Sequence, residues 1–128
     1  MKEQFITRKG YDATASMNIP KGTTVTVLSV IAPGNSALMI SHFANYVADI
    51  GAWGFIKWSV QVNSVPADPL GLVMDQLGDP SNPRELGLKI IARPGDVVEV
   101  KVTNLTDITL GTDYAAGVSL KGGYGRAL

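Results

Sequence analysis

The clearest signal along the chain is an alternation of period two. Ile56, Trp58, Val60 and Val62 are apolar, while Lys57, Ser59, Gln61 and Asn63 between them are polar. Successive side chains of a strand point to opposite faces, so this spacing predicts a strand with one buried and one wet face, as in an antiparallel sheet. The pattern returns at Val98, Val100 and Val102 against Glu99, Lys101 and Thr103. It returns again at Ala116, Val118 and Leu120 against Ser119 and Lys121. Residues 23–31 are dominated by β-branched side chains, which suit a pleated, half-buried surface, and residues 38–43 supply a further strand.

Between the strands lie turn residues. Ala32-Pro33-Gly34-Asn35 and Arg93-Pro94-Gly95-Asp96 combine a proline that presets φ with residues that tolerate positive φ. The second turn is expected to join residues 86–92 to 97–103 as a hairpin. Residues 44–54 read as a longer connection carrying Tyr46 and Trp53. Residues 64–85, with Pro66, Pro69, Pro80 and Pro83, read as loops around one short strand near 72–76. No long apolar pattern at helical spacing and no internal repeat is present. Short strands between Gly/Pro turns predict an all-β fold, a two-sheet antiparallel sandwich, and the long central connections favour a jelly roll.

The two ends of the sequence do not follow this rhythm. Residues 1–20 scatter Lys2, Glu3, Arg8, Lys9 and Asp12 among Phe5, Ile6 and Tyr11, and are expected to form an extended N-terminal arm, with a floppy terminus or an edge strand of the sandwich as the plainer alternatives. The sandwich domain is then residues 21–128. Gly122-Gly123-Tyr124-Gly125 reads as a short flexible C-terminal tail.

Composition narrows the picture. A chain of 128 residues fits one domain and buries enough surface for a core without staples. There is no cysteine, so disulfides and thiolate metal sites are excluded. Eleven basic and eleven acidic residues cancel, so neither nucleic acid nor an anionic membrane is expected as a partner. The first residues lack the apolar core of a signal peptide, and the strongest apolar run, 25–33, is far short of a bilayer span. Synthesis in the cytoplasm without signal-directed secretion is the expectation. Asn104-Leu105-Thr106 matches a glycosylation acceptor, a triplet common by chance.

Catalytic chemistry is sparse. His42 is the single histidine, expected in phase with Leu38 and Ile40, and its neighbour Ser41 should point to the opposite face of the strand. That geometry argues against a serine triad. Among the acids, Asp75 with Asp79 or Asp107 with Asp113 could form a carboxylate pair, but solvated turn acids are the simpler reading. No calcium-loop spacing exists. The expectation is a protein with no catalytic residues, metal or cofactor. The side chains best suited to protein contact are Phe5 and Ile6 in the arm, Tyr46 and Trp53 in the connection, and Tyr124 in the tail.

The order of features adds a resemblance. Ile19-Pro20-Lys21-Gly22-Thr23-Thr24 leads into a strand, and Trp58-Ser59-Val60-Gln61-Val62-Asn63 closes at Val65-Pro66. Gln76-Leu77-Gly78 and then Arg93-Pro94-Gly95-Asp96-Val97-Val98 with Thr103-Asn104 follow. Over residues 19–122 this strand rhythm resembles the small jelly-roll decoration, or cement, proteins of tailed bacteriophage capsids. The resemblance implies a virion structural protein on the capsid surface, bound to the outside of the major capsid protein and to neighbouring copies of itself, often as a trimer. It implies no catalytic residues. A carbohydrate- or receptor-binding β-sandwich of a phage head, tail fibre or spike, using Trp53 and Tyr46 as a stacking surface, is the alternative.

The alternation makes a direct demand on stability. Trp58→Ala should cost about 3–5 kcal/mol in denaturant unfolding. Lys57→Ala, one position away on the other face, should stay within about 0.5 kcal/mol. Equal losses would show that the strand phase is misassigned.

Overall fold

The computed structural model describes residues 5–32, 34–45, 47, 55–66, 78–79, 82–111 and 116–127. Nine strands are present among them: β1 (Phe5–Ser16), β2 (Thr24–Ile31), β3 (Ala37–Asn45), β4 (Ile56–Val62), β5 (Val65–Pro66), β6 (Gly78–Asp79), β7 (Asn82–Ala92), β8 (Val97–Asn104) and β9 (Gly117–Ala127). They form a five-stranded sheet in the order β1-β9-β3-β7-β6 and a four-stranded sheet in the order β2-β8-β4-β5, with every pairing antiparallel. With the two-residue β6 set aside, every connection changes sheet except the β4–β5 hairpin. That is the strand order of a jelly roll.

The core lies between the sheets and contains the expected alternating rows. Val98, Val100 and Val102 of β8 are fully buried, as are Val118 and Leu120 of β9, while Ile56 and Trp58 of β4 are 1% and 2% exposed. Register sets Trp58 opposite Val102 and Val60 opposite Val100. Cross-strand pairs of large and branched side chains of this kind are the unit of sheet stabilisation.

Three sequence expectations are corrected. Residues 93–96 do not close a hairpin: β7 pairs with β3 and β6, and β8 pairs with β2 and β4, so this turn carries the chain between sheets. Its geometry is that of a tight turn, with Asp96 N–H donating to Arg93 O at 2.9 Å and Gly95 at φ +87°. The turn docks on Ala32, whose N–H donates to Asp96 O and whose carbonyl accepts from Gly95 N–H. Asp96 accepts from Asn63 Nδ2 and from Arg93 N–H, both at 2.9 Å, and these bonds hold its carboxyl below the usual aspartate range. Upstream, β7 begins at Asn82, inside the segment expected to be loops; the expected strand near 72–76 lies outside the described residues.

The second correction concerns the arm. Phe5–Ser16 is an edge strand of the five-stranded sheet, paired with β9 from Phe5 opposite Ala127 to Ser16 opposite Gly117, with one irregularity between Thr7 and Lys9. Tyr11 and Ala13 lie against the core, and the apolar positions Tyr11, Ala13 and Ala15 do alternate. Two of the three are alanines, so the hydrophobic signal is too weak to stand out. The sandwich therefore includes this segment and does not begin at residue 21.

The third concerns the tail. Gly117–Ala127 is an inner strand, between β1 and β3. Two of its glycines are required by close approach: a Cβ on Gly117 would overlap the Ala15 carbonyl, and one on Gly122 the Met39 carbonyl, on the neighbouring strands. Gly122 stands between Tyr11 and Ile40 in the ladder, and Tyr11 stacks edge-on against Tyr124 with centroids 5.1 Å apart.

Gly122→Ala should therefore cost about 1–3 kcal/mol or more, since backbone must move to admit the methyl group. Gly10→Ala, where nothing lies within 4 Å of the added Cβ, should change stability by less than about 0.5 kcal/mol. Parallel urea melts of the two variants check this; similar midpoints would refute the close-approach explanation.

Candidate functional surfaces

Jelly-roll topology sorts the connections by length. The short turns, 32–36, 63–64 and 93–96, lie at one end of the sandwich. The connections 17–23, 46–55 and 105–116 leave and rejoin strands at the other end. Long loops on a rigid sheet scaffold are where binding surfaces are usually built.

Asn104 organises this end. It closes the buried row of β8 and is itself fully buried. Its Nδ2 donates to Ile19 O and Ile108 O, both at 3.0 Å, and its Oδ1 accepts from Thr106 N–H at 2.9 Å and Thr106 Oγ1 at 2.6 Å. Its backbone bonds Thr23 O and Gly22 N–H, and the adjacent Leu105 N–H donates to Phe55 O at 2.8 Å. One amide thus joins 17–23 to 105–111. As Nδ2 is buried and doubly bonded, the folded protein offers no acceptor nitrogen for glycosylation.

Held by this network, Met17, Phe55, Leu105 and Ile108 are 38%, 57%, 54% and 48% exposed at the same end. They make up four of the six exposed large apolar residues among those described; Ile31 and Val65 lie at the opposite end. The sequence reading missed all four. The available signal was Leu105 and Ile108 standing in an otherwise polar run, Thr103-Asn104-Leu105-Thr106-Asp107-Ile108-Thr109.

Of the expected contact residues, Tyr46 and Trp53 lie outside the described residues, although the connection carrying them joins strands at this end. Phe5 and Ile6 occupy β1 opposite Ala127 and Arg126, at the far end. Tyr124 is half-buried against the core and Tyr11. Its placement in a free tail is corrected by its position in β9.

Ser41 and His42 depart from expectation. Both ladders of β3 shift register between Ile40 and His42: against β9 Ser41 is the extra residue of a bulge, whereas against β7 the extra residues, 86–89, lie on β7. Phe43, not His42, then takes the inner position after Ile40. The expected opposition of the two side chains is lost, and Ser41 Oγ lies 2.8 Å from His42 Nδ1. Ser41 Oγ also donates to Lys121 O at 3.2 Å. The hydroxyl has one proton: when it goes to Lys121 O, Nδ1 must carry the ring proton and donate to Oγ. That arrangement leaves Nδ1 unable to act as a base toward Ser41 and makes the pair a clasp across the bulge. In register, Lys121 and Glu85 flank His42.

Among the described residues no three or more of His, Asp and Glu group in a way that could hold a metal ion. Asp75 and Asp113, one member of each expected carboxylate pair, lie outside the described residues.

Asn104→Ala would leave the Ile19 and Ile108 carbonyls and Thr106 N–H without their amide partner. The expected loss is on the order of 2–5 kcal/mol in equilibrium unfolding. A loss below about 0.5 kcal/mol would mean the network is replaceable by water.

Comparison with known proteins returns no family model, no curated protein and no solved structure that matches this chain.

Proposed function

We propose that the chain is a virion structural protein, a decoration or cement protein that binds the outside of the major capsid protein and neighbouring copies of itself. The observation that carries this reading is that Met17, Phe55, Leu105 and Ile108 are all exposed at the same end of the jelly roll, the end with the longer connections. Exposed apolar side chains clustered on a rigid support are the physical form of a protein-contact surface. Weak contacts of this kind gain strength when copies are repeated over a shell or joined in an oligomer. The jelly-roll strand order agrees with the resemblance read from the turns.

The test uses shells of the capsid protein encoded in the same genome. Wild-type protein should co-sediment with them saturably. The double substitution Phe55→Ser, Leu105→Ser should weaken binding by about tenfold or more, two exposed anchors being removed without disturbing the core. Thermal melting should change little. Unchanged binding by the double variant would move the contact surface elsewhere. Failure of wild type to bind shells, together with saturable binding on a glycan array, would replace this reading with the carbohydrate-binding one.

A further inference from the structure

β2 is the terminal strand of the four-stranded sheet, bonded to β8 on one side and, among the described residues, to nothing on the other. Its inner side chains, Val25, Val27, Leu28 and Val30, pack against the core yet remain half-buried. Val98, Val100 and Val102 on the neighbouring strand are fully buried. The core is therefore open along this edge, and Ile31, which closes the strand, is 67% exposed.

An unpaired strand edge is a template for another strand, and sandwiches deter this with charge, proline or very short edges. The other edges carry such devices. β5 and β6 are two residues long, β5 ends in Pro66, and β1 carries Arg8, Lys9 and Asp12. β2 spans eight residues, and residues 23–32 contain no charge, proline or glycine.

The irregularity of β2 selects what fits beside it. Val27 is an extra residue against β8, between Thr26 opposite Lys101 and Leu28 opposite Val100. Val27 and Leu28 therefore both face the core, and the order of exposed and half-buried positions along Thr24–Ile31 reads the same in either direction. An antiparallel copy of β2, centred between Val27 and Leu28, sets inner side chains against inner ones at every position. Val27 meets Leu28, Val25 meets Val30, Thr26 meets Ser29 and Thr24 meets Ile31. A regular strand leaves one β2 residue unmatched there, as β8 does, whereas β2 itself matches all eight. Having no charge, β2 also meets no like charge when paired with itself.

We propose that a second copy of the chain adds to this edge, β2 against β2 about a twofold axis, joining two four-stranded sheets into one. A twofold interface needs a self-complementary surface, which the exposure pattern provides. This pairing rests on the copy-to-copy part of the function proposed above. It is tested without shells, so its failure and a failure of the capsid contact are read separately.

Analytical ultracentrifugation of the intact protein over a range of concentrations is the test. A monomer–dimer equilibrium is expected, with amide hydrogen exchange over residues 24–31 slowing as dimer forms. Thr26→Lys with Ser29→Lys sets lysines opposite each other twice across the axis and should weaken the dimer by about tenfold or more. Thr26→Glu with Ser29→Lys adds as many charges but sets opposite ones together, and should keep the dimer within about threefold of wild type. Both positions are exposed, and thermal melting of the dilute protein checks that each variant folds. Gln61→Lys, two strands from this edge, should change nothing. A protein that stays monomeric up to about 1 mM overturns the proposal. So does a trimer, equal behaviour of the two double variants, or a loss with Gln61→Lys as large as with the lysine pair.

Discussion

A buried amide holds one end of this sandwich together. Asn104 completes the inner row of β8 after three valines, where another valine would satisfy packing but take one donor each from the carbonyls of Ile19 and Ile108 and the side-chain acceptor from Thr106 N–H. Buried polar groups are stable only when fully bonded, and a network that is complete also specifies one arrangement. Ile19 and Leu110 then exchange backbone bonds at 2.9 and 3.0 Å, and both side chains are buried beneath the crossing connections. The positions of Leu105, Ile108 and Phe55 follow from this node.

The opposite end is closed in another way. There Asn63 and Asp96 bond each other and the backbone of the neighbouring turn, with Asn63 Oδ1 accepting from Val97 N–H and Asp96 accepting from Arg93 N–H. These bonds are exposed and local, and the connections they brace are short. The topology thus separates two ends of different character: apolar side chains over a buried network at one, and short turns braced by exposed local bonds at the other. A long connection can rearrange its exposed residues without disturbing strand register, whereas a two-residue turn such as 63–64, at positive φ in both positions, cannot.

The central strands were legible in the sequence because their two faces differ chemically. Val98, Val100 and Val102 against Glu99, Lys101 and Thr103 leave one phase for β8, and Trp58 fixes β4 in the same manner. Pair choice was not legible: Pro94-Gly95 makes a sharp turn whether the chain returns within its sheet or crosses to the other. The bulge at Ser41 was hidden because one extra residue changes no composition, yet it reverses the phase of everything after it. β1 and the glycine-rich second half of β9, after Lys121, escaped because alanine and glycine carry little hydrophobic signal. In β9 that smallness is the reason for the choice, since Gly122 must pass the Met39 carbonyl. The exposed apolar end was equally hidden, because its four side chains come from three segments far apart in the sequence that reach one end only in the folded sandwich.

The position of β9 constrains how the fold can assemble. It lies between β1 and β3, so the edge strand formed by residues 5–16 has no ladder until residues 117–127 are in place. Closing that pair joins segments separated by nearly the whole chain, the kind of contact that slows folding most. The four-stranded sheet is less demanding, since β8 pairs with β4 and β2 without either terminal strand. It can organise first around Trp58 and the β8 valines, and it then offers an apolar face on which β3 and β9 condense. Tyr11 and Tyr124 meet only in the last of these steps, when β1 adds to β9. Their edge-on contact therefore reports the completed five-stranded sheet, whereas Trp58 reports the shared core between the sheets.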